Sequence, residues 1–242
     1  MSRFKLTIEY VGTRYSGWQI QKNARTVQGE IDRAVHTATR VRDFELYGSG
    51  RTDAGVHALA QVAHLDIKTT LPPETLRQRL NDELPSDINI LSLSGAPRRF
   101  HARHDAVARS YLYQIARRRT AFAKPFVWWI KEPLDLALVR SAASSFTGLQ
   151  DFEAFTDDEP EMKSTKVLVD AVEIGEDGDL LLMRVSGSHF LKDGAAPHGR
   201  DRRSGPPRPD ARRGAPTTGW SFRSSCTPHG SGVWFVSRAG LL

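Results

Sequence analysis

One cysteine, Cys226, is the only thiol in 242 residues. That excludes a disulfide framework and any metal centre built from several cysteines. No apolar run approaches the ~18 residues that a membrane helix needs. The opening Met1-Ser2-Arg3-Phe4-Lys5 lacks the apolar core of a secretion signal. A soluble, cytoplasmic chain is the expectation. Acid is scarce in one place. Residues 192–242 hold no glutamate and three aspartates against nine lysines and arginines, whereas residues 1–191 hold 25 residues of each sign. The whole net charge of +6 therefore lies in the final segment. A basic chain ordinarily points to nucleic acid; here only local clusters such as Arg117-Arg118-Arg119 carry that argument. Periodicity is also missing from residues 192–242, where Gly, Pro, Arg and Ser predominate. Their composition predicts a disordered tail.

What is present is alternation and helical spacing. Phe4, Leu6, Ile8 and Tyr10 alternate with polar neighbours, as in a half-buried strand. Val27, Ile31, Ala34 and Val35 follow helical spacing behind Thr26, a suitable N-cap. Strands over 44–47 and 61–67 come next. Pro73 opens a helix carrying Leu76, Leu80 and Leu84, and 88–93 is a further strand. This order predicts an α+β chain whose first half is ferredoxin-like. A second half begins the same way. A strand over 109–116 precedes a helix over 134–146, with Leu134, Leu138, Ala142 and Phe146 on one stripe. Strands over 166–174 and 180–185 follow, joined by a turn at 175–178. The helix and strand that would finish this half do not come. The expected divisions are a first half over 1–105, a truncated second half over 106–191, and the tail. An unfinished sheet has an open edge, so apolar faces at Val167, Leu168, Val169 and Leu181 are expected to be exposed.

Chemistry concentrates in Gly50-Arg51-Thr52-Asp53-Ala54-Gly55-Val56-His57-Ala58. Small residues there let a large substrate approach the backbone, and Gly50 and Gly55 allow angles closed to other residues. Arg51 can pair with Asp53 or with a phosphate; either keeps the carboxylate ionised. An ionised aspartate in a tight loop serves as nucleophile or general base. A surface ion pair on a glycine-rich turn is the plainer alternative. Tyr111 can stack on a base and relay a proton, or sit as an ordinary strand aromatic; Tyr113 reads as core. His57 and His101 have no carboxylate or cysteine at ligand spacing, so no metal is expected. His57 best fits packing of the loop. Lys22 and Arg25 read equally as phosphate contacts or as a solvated basic face.

Further strings accompany the loop. They are Tyr10-x-Gly12-Thr13-x-Tyr15-x-Gly17-Trp18-Gln19, Thr26-Val27-Gln28-Gly29-Glu30, Leu84-Pro85-x-Asp87-Ile88, Phe100-His101-Ala102-Arg103, Arg109-x-Tyr111-x-Tyr113 and Gly187-Ser188-x-Phe190-Leu191. In order and spacing they resemble the tRNA pseudouridine synthase A family over residues 1–191. The resemblance implies two ferredoxin-like halves around a central cleft. It implies isomerisation of uridine to pseudouridine at positions 38 to 40 of the tRNA anticodon stem-loop, without metal or cofactor. It assigns Asp53 as nucleophile, Arg51 as its neighbour, and Tyr111 to the base. His57, His101 and Arg103 join Tyr111 as candidate substrate contacts. The implied partners are that stem-loop and, with a completed second half, a second copy of the chain. Attack at ribose C1′ and attack at uracil C6 both stay open.

After Leu191 the family has a helix resembling F-L-x-x-M-V-R-x-x-V-G and ends in a strand resembling T-A-P-A-S-G-L-F-L-E-R-V-Y. Neither is read in this frame. Joining the last two bases of each codon to the first base of the next changes that. From His229 onward the offset permits Thr-Ala-Pro-Ala-Ser-Gly-Leu-Phe-Leu-Glu-Arg-Val-Tyr. From Lys192 to Arg203 it permits Arg-Met-Val-Arg-Arg-x-Met-Val-Gly-Thr-Val, which resembles the helix with its spacing off by one. Residues 192–242 thus read as translated one base out of frame. Two functions follow: a working synthase, or an RNA-binding pseudoenzyme with an unfinished second half. A hydrolase built on Asp53 would lack the metal or acid partner it needs.

Overall fold

The alternation that opens the sequence becomes strand β1 (Ser2–Tyr10), with Phe4, Leu6, Ile8 and Tyr10 buried. The computed structural model describes residues 1–153 and 164–190, together with the backbone of a strand at Gly232–Ser237. These residues fall into two compact units, one of Met1–Val107 with that late strand, the other beginning at Ala108.

The first unit continues through α1 (Val27–Thr39), β2 (Phe44–Gly48), β3 (His57–Ile67), α2 (Pro73–Glu83) and β4 (Ile88–Ala96). Its antiparallel sheet has the order β4-β1-β3-β2, the ferredoxin-like arrangement. Register brings Phe4 opposite Leu65 and sets Leu6 between Ala63 and Leu93. Thr26 caps α1 by accepting from the Gly29 N–H at 3.2 Å, and Val27, Ile31, Ala34 and Val35 all go inside. Leu76 and Leu80 of α2 are fully buried, each contributing about 1.5–3 kcal/mol on transfer from water. Leu84 falls just beyond the helix as its C-cap.

In the second unit the elements are β5 (Ala108–Ala116), β6 (Trp128–Trp129), α3 (Leu136–Ser144), β7 (Gly148–Asp151), β8 (Lys166–Asp177) and β9 (Leu180–Gly187). The order β5-β9-β8 repeats the β1-β3-β2 order of the first unit, with β7 added outside β8 and β6 parallel to β5. The α+β expectation with ferredoxin-like halves holds. Two details differ. Helix α3 starts after Asp135, whose carboxylate accepts from the Ala137 and Leu138 N–H groups, and its one buried residue is Ala143. Ala142 and Phe146 are exposed, so the expected stripe is rotated by one position. Val167, Val169 and Leu181 are buried rather than exposed; only Leu168 faces out. Strand alternation turns Val167 and Val169 to one side and Leu168 to the other, and α3 lies against β8.

The tail is not without structure. Strand β10 (Gly232–Ser237) pairs antiparallel with β3, setting Trp234 opposite Ala60 and Val236 opposite His57. Residues 233–236 are Val, Trp, Phe and Val, all strong strand formers. Since β1 takes one edge of β3, β2 and β10 share the other, along 63–67 and 57–60. The rest of the expected disordered tail lies outside the described residues.

Candidate active site

The loop between β2 and β3 carries Arg51 and Asp53, both exposed, on either side of buried Thr52. Thr52 is the pivot. Its hydroxyl is 2.8 Å from the Tyr10 hydroxyl, and its carbonyl accepts from the Trp18 N–H at 3.0 Å. The loop is fastened at its start as well. Ser49 donates to Gln61 Oε1 at 2.7 Å, and Gln61 Nε2 donates to the Gly50 carbonyl at 2.8 Å. At its far end the Gly55 N–H donates to the Tyr15 carbonyl at 3.2 Å, and His57 Nδ1 accepts from the Gly12 N–H at 3.2 Å. Asp53 itself closes a turn, its carbonyl accepting from the Val56 N–H at 3.2 Å.

Segment 11–18 is what holds the loop, and its glycines set the approach. A Cβ on Gly12 would stand 1.9 Å from the Val56 carbonyl oxygen. One on Gly17, at φ +93°, would stand 2.4 Å from the Thr52 carbonyl oxygen. On the neighbouring strand, a Cβ on Gly48 would overlap the Trp18 ring at 2.7 Å. The segment is anchored in turn. Tyr15, only 3% exposed, donates its hydroxyl to Asp87 at 2.5 Å. Burial and the Asp87 carboxylate push that hydroxyl's pKa up, so it remains a donor. Arg25 lies over the Tyr15 ring at 4.9 Å and donates to buried Glu30 at 2.6 Å. Arg25 is thus engaged within the protein while its side chain stays 46% exposed. None of the ion pairs among the described residues joins Arg51 to Asp53.

The other candidates lie elsewhere. His57 is buried and packs the loop. His101 and Arg103 follow β4, where His101 Nδ1 accepts from the Arg103 N–H at 3.2 Å. Tyr111 stands in the second unit, half-buried on β5, its ring edge-on to Phe190 at 4.9 Å. Tyr113 is core. Among the described residues no group of three or more His, Cys, Asp or Glu side chains is placed to hold a metal ion, and no helix is long and apolar enough to cross a membrane. The clamp from segment 11–18 was not read from the sequence. Its signal was there in Gly12, Gly17 and Trp18, whose spacing has no use in a plain turn.

A family model described as tRNA pseudouridine synthase matches residues 6–105, a span that includes the whole clamped loop. A tRNA pseudouridine synthase A of Rhodopseudomonas palustris (strain BisA53) is 42% identical over 198 residues, covering 79% of this chain and 78% of its own. The chain belongs to the tRNA pseudouridine synthase family. Other members of the family are similarly near. One from Nitrobacter hamburgensis, a tRNA pseudouridine synthase A, is 42% identical over 79% of each chain. Another from Clostridium tetani, a tRNA pseudouridine synthase A 2, is 38% identical over 77% of each. Membership places the chain in the isomerase class of tRNA pseudouridine synthases.

Proposed function

We propose that the chain converts uridine to pseudouridine at positions 38 to 40 of the tRNA anticodon stem-loop, with Asp53 as nucleophile. One observation carries this reading. An exposed carboxylate rides on a loop whose adjacent residue, Thr52, is buried and bonded on both sides. Such a group is reachable yet held, as a nucleophile must be.

The reaction breaks the bond from ribose C1′ to uracil N1 and makes one from C1′ to C5. A proton leaves C5 and one is taken up at N1, so no cofactor is consumed. Asp53 captures C1′ or C6 while the base is turned. A stacked uridine must first leave the helix, at a cost of roughly a few kcal/mol. Arg51 is suited to meet a phosphate or to fill the gap the base leaves. Tyr111 supplies a ring for the uracil and a hydroxyl to relay the C5 proton. His101 and Arg103 approach the RNA backbone, which positions the substrate without reading its sequence, while His57 acts by holding the loop. The active form is a cytoplasmic homodimer when its second half is complete.

A tritium-release assay on tRNA labelled at uridine C5 tests this. Release by the parent chain, abolished in Asp53→Ala with tRNA binding retained, is the expected result. Binding without release would favour the pseudoenzyme reading. That second reading has its own support. The family strings end at Leu191, and the Rhodopseudomonas palustris relative covers 79% of the chain, the share that residues 1–191 make of it. Either reading is paired with the proposal that residues 192–242 are translated out of frame, a genuine extension being the alternative. Sequencing the gene from codon 185 to its end checks that; a reading frame that cannot encode the two missing segments rejects it.

A further inference from the structure

Outside the clamped loop, the first unit carries a ladder of rings, of which the reading above uses His101 alone. Tyr47 stands opposite His64 across β2 and β3, and His64 stands opposite Lys5 across β3 and β1, so the three share one face of the sheet. Tyr47 is 48% exposed, and its ring stacks on His64 at 5.2 Å with 21° between planes. His64, 1% exposed, meets His101 at 4.8 Å, and His101 meets His104 at 4.2 Å. The ladder is held from its protein side. His64 Nδ1 accepts from the Ala102 N–H at 3.1 Å, and His101 Nδ1 accepts from the N–H groups of Arg103 and His104 at 3.2 and 3.3 Å. Arg3 pins the chain that passes over it, donating to the carbonyls of Arg98 and Phe100, both at 2.6 Å.

Tyr47 is half exposed, and its ring is backed by buried His64 and half-buried His101. The segment beside it, residues 98–104, contains three arginines and no acid, and Arg98 and Arg99 are exposed. A rigid π-face with cations at its border is the chemistry that receives an unpaired base and its phosphates. We propose that Tyr47, backed by His64 and His101, is a stacking platform for an unpaired nucleobase of the tRNA, with Arg98 and Arg99 meeting the adjoining phosphates. The inference rests on the tRNA synthase reading, since tRNA supplies the unpaired base. It adds a contact surface separate from the Asp53 loop.

Binding of an unmodified tRNA transcript to the full chain tests it. Tyr47→Ala weakens binding by about tenfold or more, the usual effect of losing one base–aromatic stack. Tyr47→Phe binds as the parent does, because the ring is kept. A blunt RNA duplex, which has no unpaired base, binds the parent and Tyr47→Ala alike. In tritium release the loss falls on KM rather than kcat. Equal transcript binding by parent and Tyr47→Ala overturns the proposal, as does an equal loss on the duplex. If the parent releases no tritium yet its transcript binding depends on Tyr47, the synthase reading fails while the platform stands.

Discussion

Replacing Gly17 by alanine asks how tightly the loop that carries Asp53 is held. Two effects oppose the new methyl. Gly17 sits at φ +93°, a region that costs an L-residue roughly 1–2 kcal/mol. The methyl would also lie 2.4 Å from the Thr52 carbonyl oxygen and 3.3 Å from the Asp53 carbonyl carbon. Reaching an ordinary contact near 3.4 Å requires a movement of about 1 Å. Both sides are backbone, so no flexible side chain can absorb it. Thr52 is fixed through Tyr10 and Trp18, and the displacement passes to Asp53. If Asp53 is the nucleophile proposed above, a shift of that size costs on the order of 10²-fold in rate. Gly17→Ala is therefore expected to lower stability by about 2–4 kcal/mol and to cut single-turnover tritium release by about 100-fold. Affinity for tRNA should change little. Gly55→Ala is the control for stability. Gly55 has φ +79° but nothing within 4 Å of a new Cβ, so it carries the strain without the clash. Urea unfolding should show Gly17→Ala as the more destabilised of the two. Equal stability losses, or normal turnover by Gly17→Ala, would refute the clamp.

Other outcomes follow from the same geometry. Burial, with Arg3 and His101 nearby, pushes the His64 imidazole down to about 4. The unfolded chain takes up a proton below about 6.5 while the native chain does not, so stability is full above that pH and falls as pH drops from 6.5 to 4. The loss is on the order of 3 kcal/mol, and denaturant unfolding of His64→Gln across this window should lack it. Arg3→Ala removes the pair with Asp66 and the hold on the Arg98 and Phe100 carbonyls. It should cost about 2–4 kcal/mol in urea unfolding and weaken binding of the tRNA transcript. A chain whose residues 192–242 are replaced by the other reading frame should unfold at higher temperature than the parent and release tritium faster. No gain in either measurement would count against the frame reading.

Much of this protein was legible in its sequence because the signals are local. Period-two alternation around Phe4, Leu6 and Ile8 names a strand, and Thr26 before Val27 names a helix start; neither depends on distant residues. The loop around Asp53 was legible too, since its glycines and charges are adjacent in the chain. Residues 136–144 were harder. The stripe through Leu134 and Phe146 fits helical spacing as well as one through Ala143 does, and only the position of β8 decides between them. What the sequence could not determine is contact between segments far apart. Thr52 bonds to Tyr10, 42 positions away, and Tyr15 to Asp87, 72 positions away. Tyr47, His64 and His101 become one ladder only when β2 pairs with β3 and the chain after β4 folds over them. Backbone pairing sets which side chains meet, and it is settled by burial of the whole sheet rather than by any one residue's neighbours.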